Sequence, residues 1–388
     1  DWPADTQRAY PSLSIPGGAA CRVFPKGTAG KGPVQMRRLS TPDQAIDLLA
    51  QTAQQGAACL WVRNAVDEAI AAVQALRDRG IAASLLHARF ALCDRKRIEL
   101  AELGRFGPDG QGRTGRVLIA TQVVESSLDL DFDVMVSDLA PMAALVQRAG
   151  RLWRHMAQRP AAARPVAAPV LHVLSPDPAQ VKDAHWLKDL LGAGAWIYPI
   201  ADQWRTAARL FDQGRITAPE GLRDLIEAVH DDAVPVPPAL DAAERERTGE
   251  GYARANQADQ NAIVWENGYR DGASGAEDIS YPTRLGPESA TLVLARRQDG
   301  GLAPWAAGEV DSRQLSELWM LSEVSADKRK MARLPMPDQS APEILAITKG
   351  WSEWRTGSVT LCPVGTDGSI CEGLRYDAQL GLLFAPSS

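Results

Sequence analysis

The stretch from Val117 to His155 constrains this chain more than any other, because one short span reads as a buried strand, a polar turn, a second strand and a helix. Val117 to Thr121 is apolar and β-branched, the composition of a strand covered on both faces of a parallel sheet. Gln122 to Asp129 follows as a polar turn at its carboxyl end, Val134 to Val136 is the second strand, and Met142 to Arg154 reads as a helix. The same alternation runs upstream. Thr41-Pro42-Asp43 starts a helix with a capping hydroxyl followed by Pro in the first turn, and Gly56 marks its end. Ala58 to Val62 and Ala82 to Leu86 read as strands, Ala65 to Arg79 and Asp94 to Leu103 as helices, Arg105 to Arg116 as a Gly-rich loop, and Val170 to Leu174 as a closing strand. This order predicts an α/β fold, a parallel sheet with flanking helices.

The helix spacing carries chemistry. Gln147, Arg151 and Arg154 fall at i, i+4 and i+7 and share one stripe, with Gly150 on the same side and Leu145, Ala149 and Leu152 opposite, ready to pack on a sheet. Two guanidiniums a turn apart, each a fixed fork of donors, suit the spread charge of a transferring phosphoryl group. Taken alone, the helix also reads as a solvated basic face. Ligands of open α/β sheets bind at the carboxyl ends of strands. There Thr121 offers a hydroxyl and backbone amides to a phosphate, and Asp129 can accept from a ribose hydroxyl; an ordinary β-turn with local side-chain bonds is the other reading.

Ala120-Thr121-Gln122-Val123-Val124-Glu125-Ser126-Ser127-Leu128-Asp129 followed by Gln147-Arg148-Ala149-Gly150-Arg151-Leu152-Trp153-Arg154 resembles motifs V and VI of superfamily 2 helicases, in the form used by the CRISPR-associated helicase-nucleases of type I systems. Leu86-His87-Ala88-Arg89-Phe90, with Asp94-Arg95 after it, is similar to that family's H-x-R-F block, and Leu60 to Asn64 sits where motif IV is expected. Tyr281 to Gly286, Asp299-Gly300 and Pro304-Trp305 resemble a segment beyond the motor. The resemblance implies a RecA-like domain in which Arg151 and Arg154 are arginine fingers for the ATP γ-phosphate. Gln147 would lie beside them, Asp129 near the ribose, and Arg148 and Gly150 in the same nucleotide-binding segment. It implies DNA-backbone contacts from Thr121, Arg89 and His87. Arg63 and Asn64, which depart from the Asn-Thr pair usual at that place, would contribute further strand contacts.

A complete motor of this kind needs a phosphate loop ending in Gly-Lys-Ser/Thr and an acidic motif that holds magnesium. Gly30-Lys31-Gly32 lacks the hydroxyl, and Asp67-Glu68 reads as the acidic first turn of a helix. His230-Asp231 has no metal-ligand spacing around it. No metal site is therefore expected in this chain, and the magnesium ligands are expected in a first motor domain. The resemblance accordingly implies one half of an ATP-dependent single-stranded DNA translocase or helicase of antiviral defence, inactive alone. Its partners would be the first RecA-like domain and nuclease domain of the same protein, single-stranded DNA and the CRISPR surveillance complex. A half-motor that only binds DNA or a partner, and the equivalent half of another superfamily 2 helicase, also fit.

The expected organisation is a Pro- and Gly-rich connector over 1–32, the RecA-like domain over 33–176, a helical segment and linker over 177–262, and a small α+β C-terminal domain over 263–388. Asp1 in place of Met, with that connector, predicts a piece of a longer protein. Trp186, Trp196 and Trp204 are expected in the core, and Ala242 to Gln260 reads as a polar helix or a linker. Ala290 to Ala295 and Ser358 to Leu361 read as strands, with one helix near Leu315 to Ser322. Five cysteines without a Cys-x-x-Cys pair fit a reduced cytoplasm, and no apolar run approaches membrane-spanning length. The net charge of -6 excludes a diffusely basic nucleic-acid coat, so any DNA grip must be local.

Overall fold

The computed structural model describes residues 12–13, 22–23, 30–125, 128–230, 234–246, 248–249, 252, 289–298, 300–308 and 314–385. Most of the expected connector, Tyr281 to Gly286, Asp299, Asp231 and most of 247–288 lie outside them. Strands β1 (Ser12–Leu13) and β2 (Arg22–Val23) pair antiparallel.

The main sheet has seven strands: β3 (Val34–Leu39), β4 (Cys59–Val62), β5 (Ala83–Leu86), β6 (Val117–Ala120), β7 (Val134–Asp138), β8 (Val170–Leu174) and β9 (Arg215–Ile216). Their order is β5-β6-β4-β7-β8-β3-β9, parallel throughout except for β9 at the edge. Every residue of β4, β6 and β7 is buried, whereas β3 near the edge alternates. Central parallel strands are covered on both faces, so their sequences are continuously apolar, while an edge strand keeps one wet face. The helices α1 (Pro42–Gln54), α2 (Val66–Asp78), α3 (Leu92–Phe106) and α4 (Met142–Ala149) flank the sheet. Thr41 caps α1 by accepting from the Gln44 amide, and Gly56 and Gly80 turn the chain at φ 91° and 74°.

The helical segment does not form a core of its own. Helices α5 (Lys188–Leu191), α6 (Ile200–Gln213) and α7 (Leu222–His230) bury Leu191, Leu210, Leu225 and Val229 in the same cluster as the sheet. Strand β9, from the same segment, completes the main sheet. Trp186 and Trp204 are partly buried, their indoles donating to the Asp177 and Pro178 carbonyls, but Trp196 is 53% exposed, so the expectation of a core tryptophan fails there. Residues 241–246 are helical.

The C-terminal part is α+β. Strand β10 (Ser289–Gln298) pairs antiparallel with β11 (Gly301–Pro304) and β12 (Glu323–Asp327) and parallel with β13 (Val359–Val364). A second sheet joins β14 (Ser369–Cys371), β15 (Leu374–Asp377) and β16 (Gly381–Phe384). Helix α8 (Leu315–Leu321) is the expected one, but α9 (Lys328–Met331), α10 (Pro342–Thr348) and α11 (Glu353–Ser358) add three that short, weakly periodic stretches did not announce. Ala91 and Cys93, from the part built on the seven-stranded sheet, are buried in the C-terminal core, so the two parts share a dry interface. Among the described residues no helix is long and apolar enough to cross a membrane.

Candidate nucleotide and nucleic-acid site

The arginine helix is shorter than its spacing suggested. Helix α4 ends at Ala149, with Gly150 as its cap, and the chain then turns so that Leu152 forms a parallel bridge with Phe132. Leu152 and Phe132 are fully buried, and that pairing outweighs continued helix. Arg151 and Arg154 therefore project from a turn, and the i, i+4, i+7 stripe does not exist as a helical face. Trp153 sits at φ 48°, a left-handed conformation that a bulky residue adopts only when its surroundings hold it. Its amide donates to the Phe132 carbonyl at 3.0 Å and its indole to the Asp133 carbonyl at 3.3 Å.

This turn gathers three of the expected nucleotide residues. The Arg154 Nε lies 2.5 Å from Asp129 Oδ1, and His155 Nε2 lies 3.0 Å from the same oxygen. The carboxyl of Asp129 is half exposed and held below the usual carboxylate range: slight burial opposes this, but the Arg154 and His155 hydrogen bonds prevail. Arg151 is 7% exposed; its Nη2 donates to the Glu125 carbonyl at 2.5 Å, and its buried Nε has no hydrogen-bond partner among the described residues. A buried guanidinium donor without a partner is a costly feature unless something arrives to accept from it. Gln147 is exposed on α4 beside this turn. At Gly150 a Cβ would come within 3.0 Å of the Gln147 carbonyl, so glycine lets the helix end tightly there.

Arg148 is corrected. Its side chain is fully buried: Nε donates to Glu125 Oε1 at 2.8 Å, and Nη1 to Ser137 Oγ at 2.7 Å and the Asp138 carbonyl at 3.2 Å. It ties α4 and the 3-10 turn Gln122–Glu125 to the tip of β7 and cannot face a nucleotide. Glu125, which sequence reasoning quoted but gave no role, is thus gripped by two arginines, Arg148 on its carboxylate and Arg151 on its carbonyl.

The strand-contact set also divides. Arg63, Asn64, His87 and Thr121 follow the carboxyl ends of β4, β5 and β6, as expected, but burial removes all four from solvent. Arg63 donates to Asp138 Oδ2 at 3.0 Å and stacks 4.5 Å over Trp61. The Asn64 amide donates to the same oxygen at 2.9 Å, and its side chain to the Leu139 carbonyl at 2.7 Å. Both brace the polar core around Asp138. His87 is fully buried, stacked 4.4 Å from Phe90. Its Nδ1 accepts from the Arg89 amide and its Nε2 donates to the Leu380 carbonyl, each at 3.1 Å, which fixes a neutral tautomer. Burial lowers its pKa to about 3, the Leu380 bond opposing and Arg89 assisting.

The H-x-R-F block is therefore a seat for the C-terminal part. Leu382 donates to the Arg89 carbonyl at 2.8 Å. Asp94, fully buried, accepts from the Tyr376 hydroxyl at 2.7 Å and the Trp305 indole at 2.9 Å, while the Ala91 amide donates to the Tyr376 hydroxyl at 2.9 Å. Trp305, matched on sequence to a segment beyond the motor, closes this contact. The Arg89 guanidinium keeps some exposure, paired with Asp67 at 2.5 Å, and Lys330 of α9 reaches the same carboxylate at 2.9 Å. Thr121 is 3% exposed, its amide donating to the Leu86 carbonyl. Asp67 and Glu68 lie in the first turn of α2, as read from the sequence.

Asp131 and Asp133 each receive three hydrogen bonds from Arg159 and Arg164 at 2.8 to 3.2 Å, and Asp133 also accepts from the Ala58 amide at 2.9 Å. This buried network pins the loop between α4 and β8.

The chain is similar to known proteins over much of this site. Residues 55–157 match the family described as the C-terminal part of the CRISPR-associated nuclease/helicase Cas3. The CRISPR-associated endonuclease/helicase Cas3 of Escherichia coli (strain K12) is 30% identical over 60% of this chain and 26% of its own length. A solved CRISPR-associated protein superposes with a TM-score of 0.76 and 28% identity, covering 100% of this chain and 44% of the other. The T. fusca Cas3 structure with AMPPNP gives 0.72 and 25% identity over 93% of this chain and 43% of the other. The chain thus spans roughly a quarter to under a half of these relatives' length.

Proposed function

From the match of residues 55–157 to the C-terminal part of the Cas3 nuclease/helicase family, we propose that this chain is the second motor half of an ATP-dependent single-stranded DNA translocase, contributing guanidinium donors and DNA-backbone contacts to a longer helicase-nuclease. The observation that carries the reading is the turn in which Arg151, Arg154 and Asp129 meet, with the Arg151 Nε buried and unpartnered among the described residues. These groups fit a nucleotide's phosphates and ribose. ATP, when bound, supplies a phosphoanhydride whose cleavage is strongly favourable. The part of this chain is electrostatic: Arg151 and Arg154 offer preoriented donors where charge spreads in phosphoryl transfer, and Asp129 orients Arg154 or accepts from a hydroxyl. Magnesium ligands, an upstream RecA-like domain and the nuclease belong to the remainder of the longer protein, and a CRISPR surveillance complex would supply the strand.

The DNA path narrows to Arg89. Its guanidinium can exchange the Asp67 carboxylate for a phosphate; Thr121 at the tip of β6, His87, Arg63 and Asn64 support this position from within the core. Backbone contacts of this kind make binding indifferent to base sequence.

The test is DNA-stimulated ATP turnover in the full-length protein. Arg151→Ala and Arg154→Ala are each expected to lower it by about a thousandfold, and the 388-residue chain alone is expected to hydrolyse no ATP above background. Near-normal turnover by either variant removes that arginine from the site, and genuine hydrolysis by the chain alone overturns the half-motor reading.

A further inference from the structure

The last carbonyls of a helix have no partners within it and carry partial negative charge, so a helix end needs donors from elsewhere. At the end of α4 they do not come from the neighbouring basic side chain, because Arg148 is turned into the core. The backbone amides of Gly150, Arg151 and Leu152 reach the Val146, Arg148 and Ala149 carbonyls, and the side-chain donor is Lys31, more than a hundred residues earlier. Its Nζ donates to the Ala149 carbonyl at 2.8 Å and to the Leu152 carbonyl at 2.7 Å. Those two carbonyls bracket Gly150 and Arg151, so one nitrogen closes the turn across its full width. Gly30 lies over the same turn, where a Cβ added to it would stand 3.7 Å from the Met156 Cβ.

We propose that Lys31 is a positioning residue for the phosphoryl-transfer chemistry, fixing the backbone from which Arg151 and Arg154 project; this rests on the assignment of that turn to the nucleotide. Three features support it. The turn includes Trp153 at φ 48°, a conformation that does not persist without external restraint. Neither arginine lies within α4 itself, because the helix ends at Ala149. The Lys31 bonds are charge-assisted and short, which makes them stronger than neutral contacts. Burial, with help from nearby Arg154, lowers the Lys31 amine to about 8, with Asp131 opposing and Arg164 assisting, so the cation is still the major form at neutral pH. A lysine that served only solubility would keep its ammonium in water. Instead, it is folded onto two carbonyls of a segment distant in sequence.

Two measurements on Lys31→Met and Lys31→Arg decide the matter. In the 388-residue chain, amide hydrogen exchange over residues 148–156 is expected to speed up about tenfold in Lys31→Met, while peptides from β4, β6 and β7 stay protected, and Lys31→Arg is expected to retain most of the protection. In the full-length protein Lys31→Met is expected to lower kcat by about ten- to a hundredfold with KM for ATP changed much less, as misplacement of a transition-state donor does. Lys31→Arg is expected to restore part of kcat. Unchanged exchange in Lys31→Met overturns the clamp, whatever the arginines do. Faster exchange with normal kcat, while Arg151→Ala is inactive, leaves the arginine assignment standing and overturns the positioning role. Normal turnover in Arg151→Ala and Arg154→Ala would instead overturn the nucleotide assignment and the positioning role with it, and exchange would then report the clamp alone.

Discussion

Acid should weaken the seat of the C-terminal part through one residue, His87. Its imidazole is fully buried between Phe90 and the β16 end of the C-terminal sheet, and both nitrogens are committed, Nδ1 as acceptor from Arg89 and Nε2 as donor to Leu380. Protonation would turn Nδ1 into a second donor facing an N–H. The folded pKa is accordingly about 3, against an ordinary value of 6.5. The folded value is depressed, so between 6.5 and about 3 the unfolded chain binds a proton that the folded chain refuses, and stability falls as pH falls through that window. At pH 5 the loss amounts to about 2 kcal/mol, since each unit of pKa difference traversed is worth about 1.4 kcal/mol. Many other groups also titrate there, including His172, which burial lowers to about 4. The assay is therefore a comparison: urea unfolding of wild type and His87→Phe, followed by tryptophan fluorescence at pH 7 and pH 5. Phe keeps the stack on Phe90 and cannot titrate. It gives up two hydrogen bonds, so the variant starts about 1–3 kcal/mol less stable at pH 7. The gap should then close by about 2 kcal/mol at pH 5. Parallel losses in the two proteins would refute the argument, because they would mean that His87 is protonated as readily folded as unfolded.

Three further outcomes follow from the same contacts. Arg148→Met should destabilise the chain by about 3–5 kcal/mol, because it strands Glu125 beside a dry core, and a shift in urea midpoint equivalent to less than about 1 kcal/mol would show that the Arg148 ion pair is dispensable. Asp94→Ala leaves the Tyr376 hydroxyl and Trp305 indole without their acceptor, so limited proteolysis should release the C-terminal part from an intact motor, and unaltered resistance would contradict the docking role. Arg89→Ala should weaken single-stranded DNA binding of the full-length protein about equally on two unrelated oligonucleotides and flatten the logarithmic salt slope by about 0.7, the share of one phosphate. An unchanged slope would remove Arg89 from the DNA path.

Much of the motor was legible in the chain because its signals are local. An uninterrupted apolar run is what a strand buried on both faces must be, so β4, β6, β7 and β8 could be placed within a residue or two, and α1 announced itself through Thr41, Pro42 and Gly56. Strand β3 escaped notice because a strand near the edge alternates and carries Gln35 and Arg37 on its wet side. The motif spacing also located the carboxyl-end loops and the Arg151–Arg154 segment. Periodicity could not say whether that segment stays helical. It ends because Leu152 gains a buried partner in Phe132, twenty residues away in sequence, and pairing at that range leaves no trace in a seven-residue window. Burial sorted the polar candidates in the same way. Arg63, Asn64, His87 and Arg148 look like surface ligands when read one by one, yet each meets a buried acceptor or donor supplied by another element: Asp138, Leu139, Leu380 and Glu125. Lys31 is the converse case, an unremarkable lysine in a glycine-rich stretch until the fold sets it on two helix-end carbonyls. Residue order determined which elements form and at which end of the sheet polar groups cluster, because propensity and hydrophobic period act over a few neighbours. Which of those groups face a ligand and which brace the core was decided by tertiary structure, because desolvation and hydrogen-bond satisfaction depend on partners that only folding brings together.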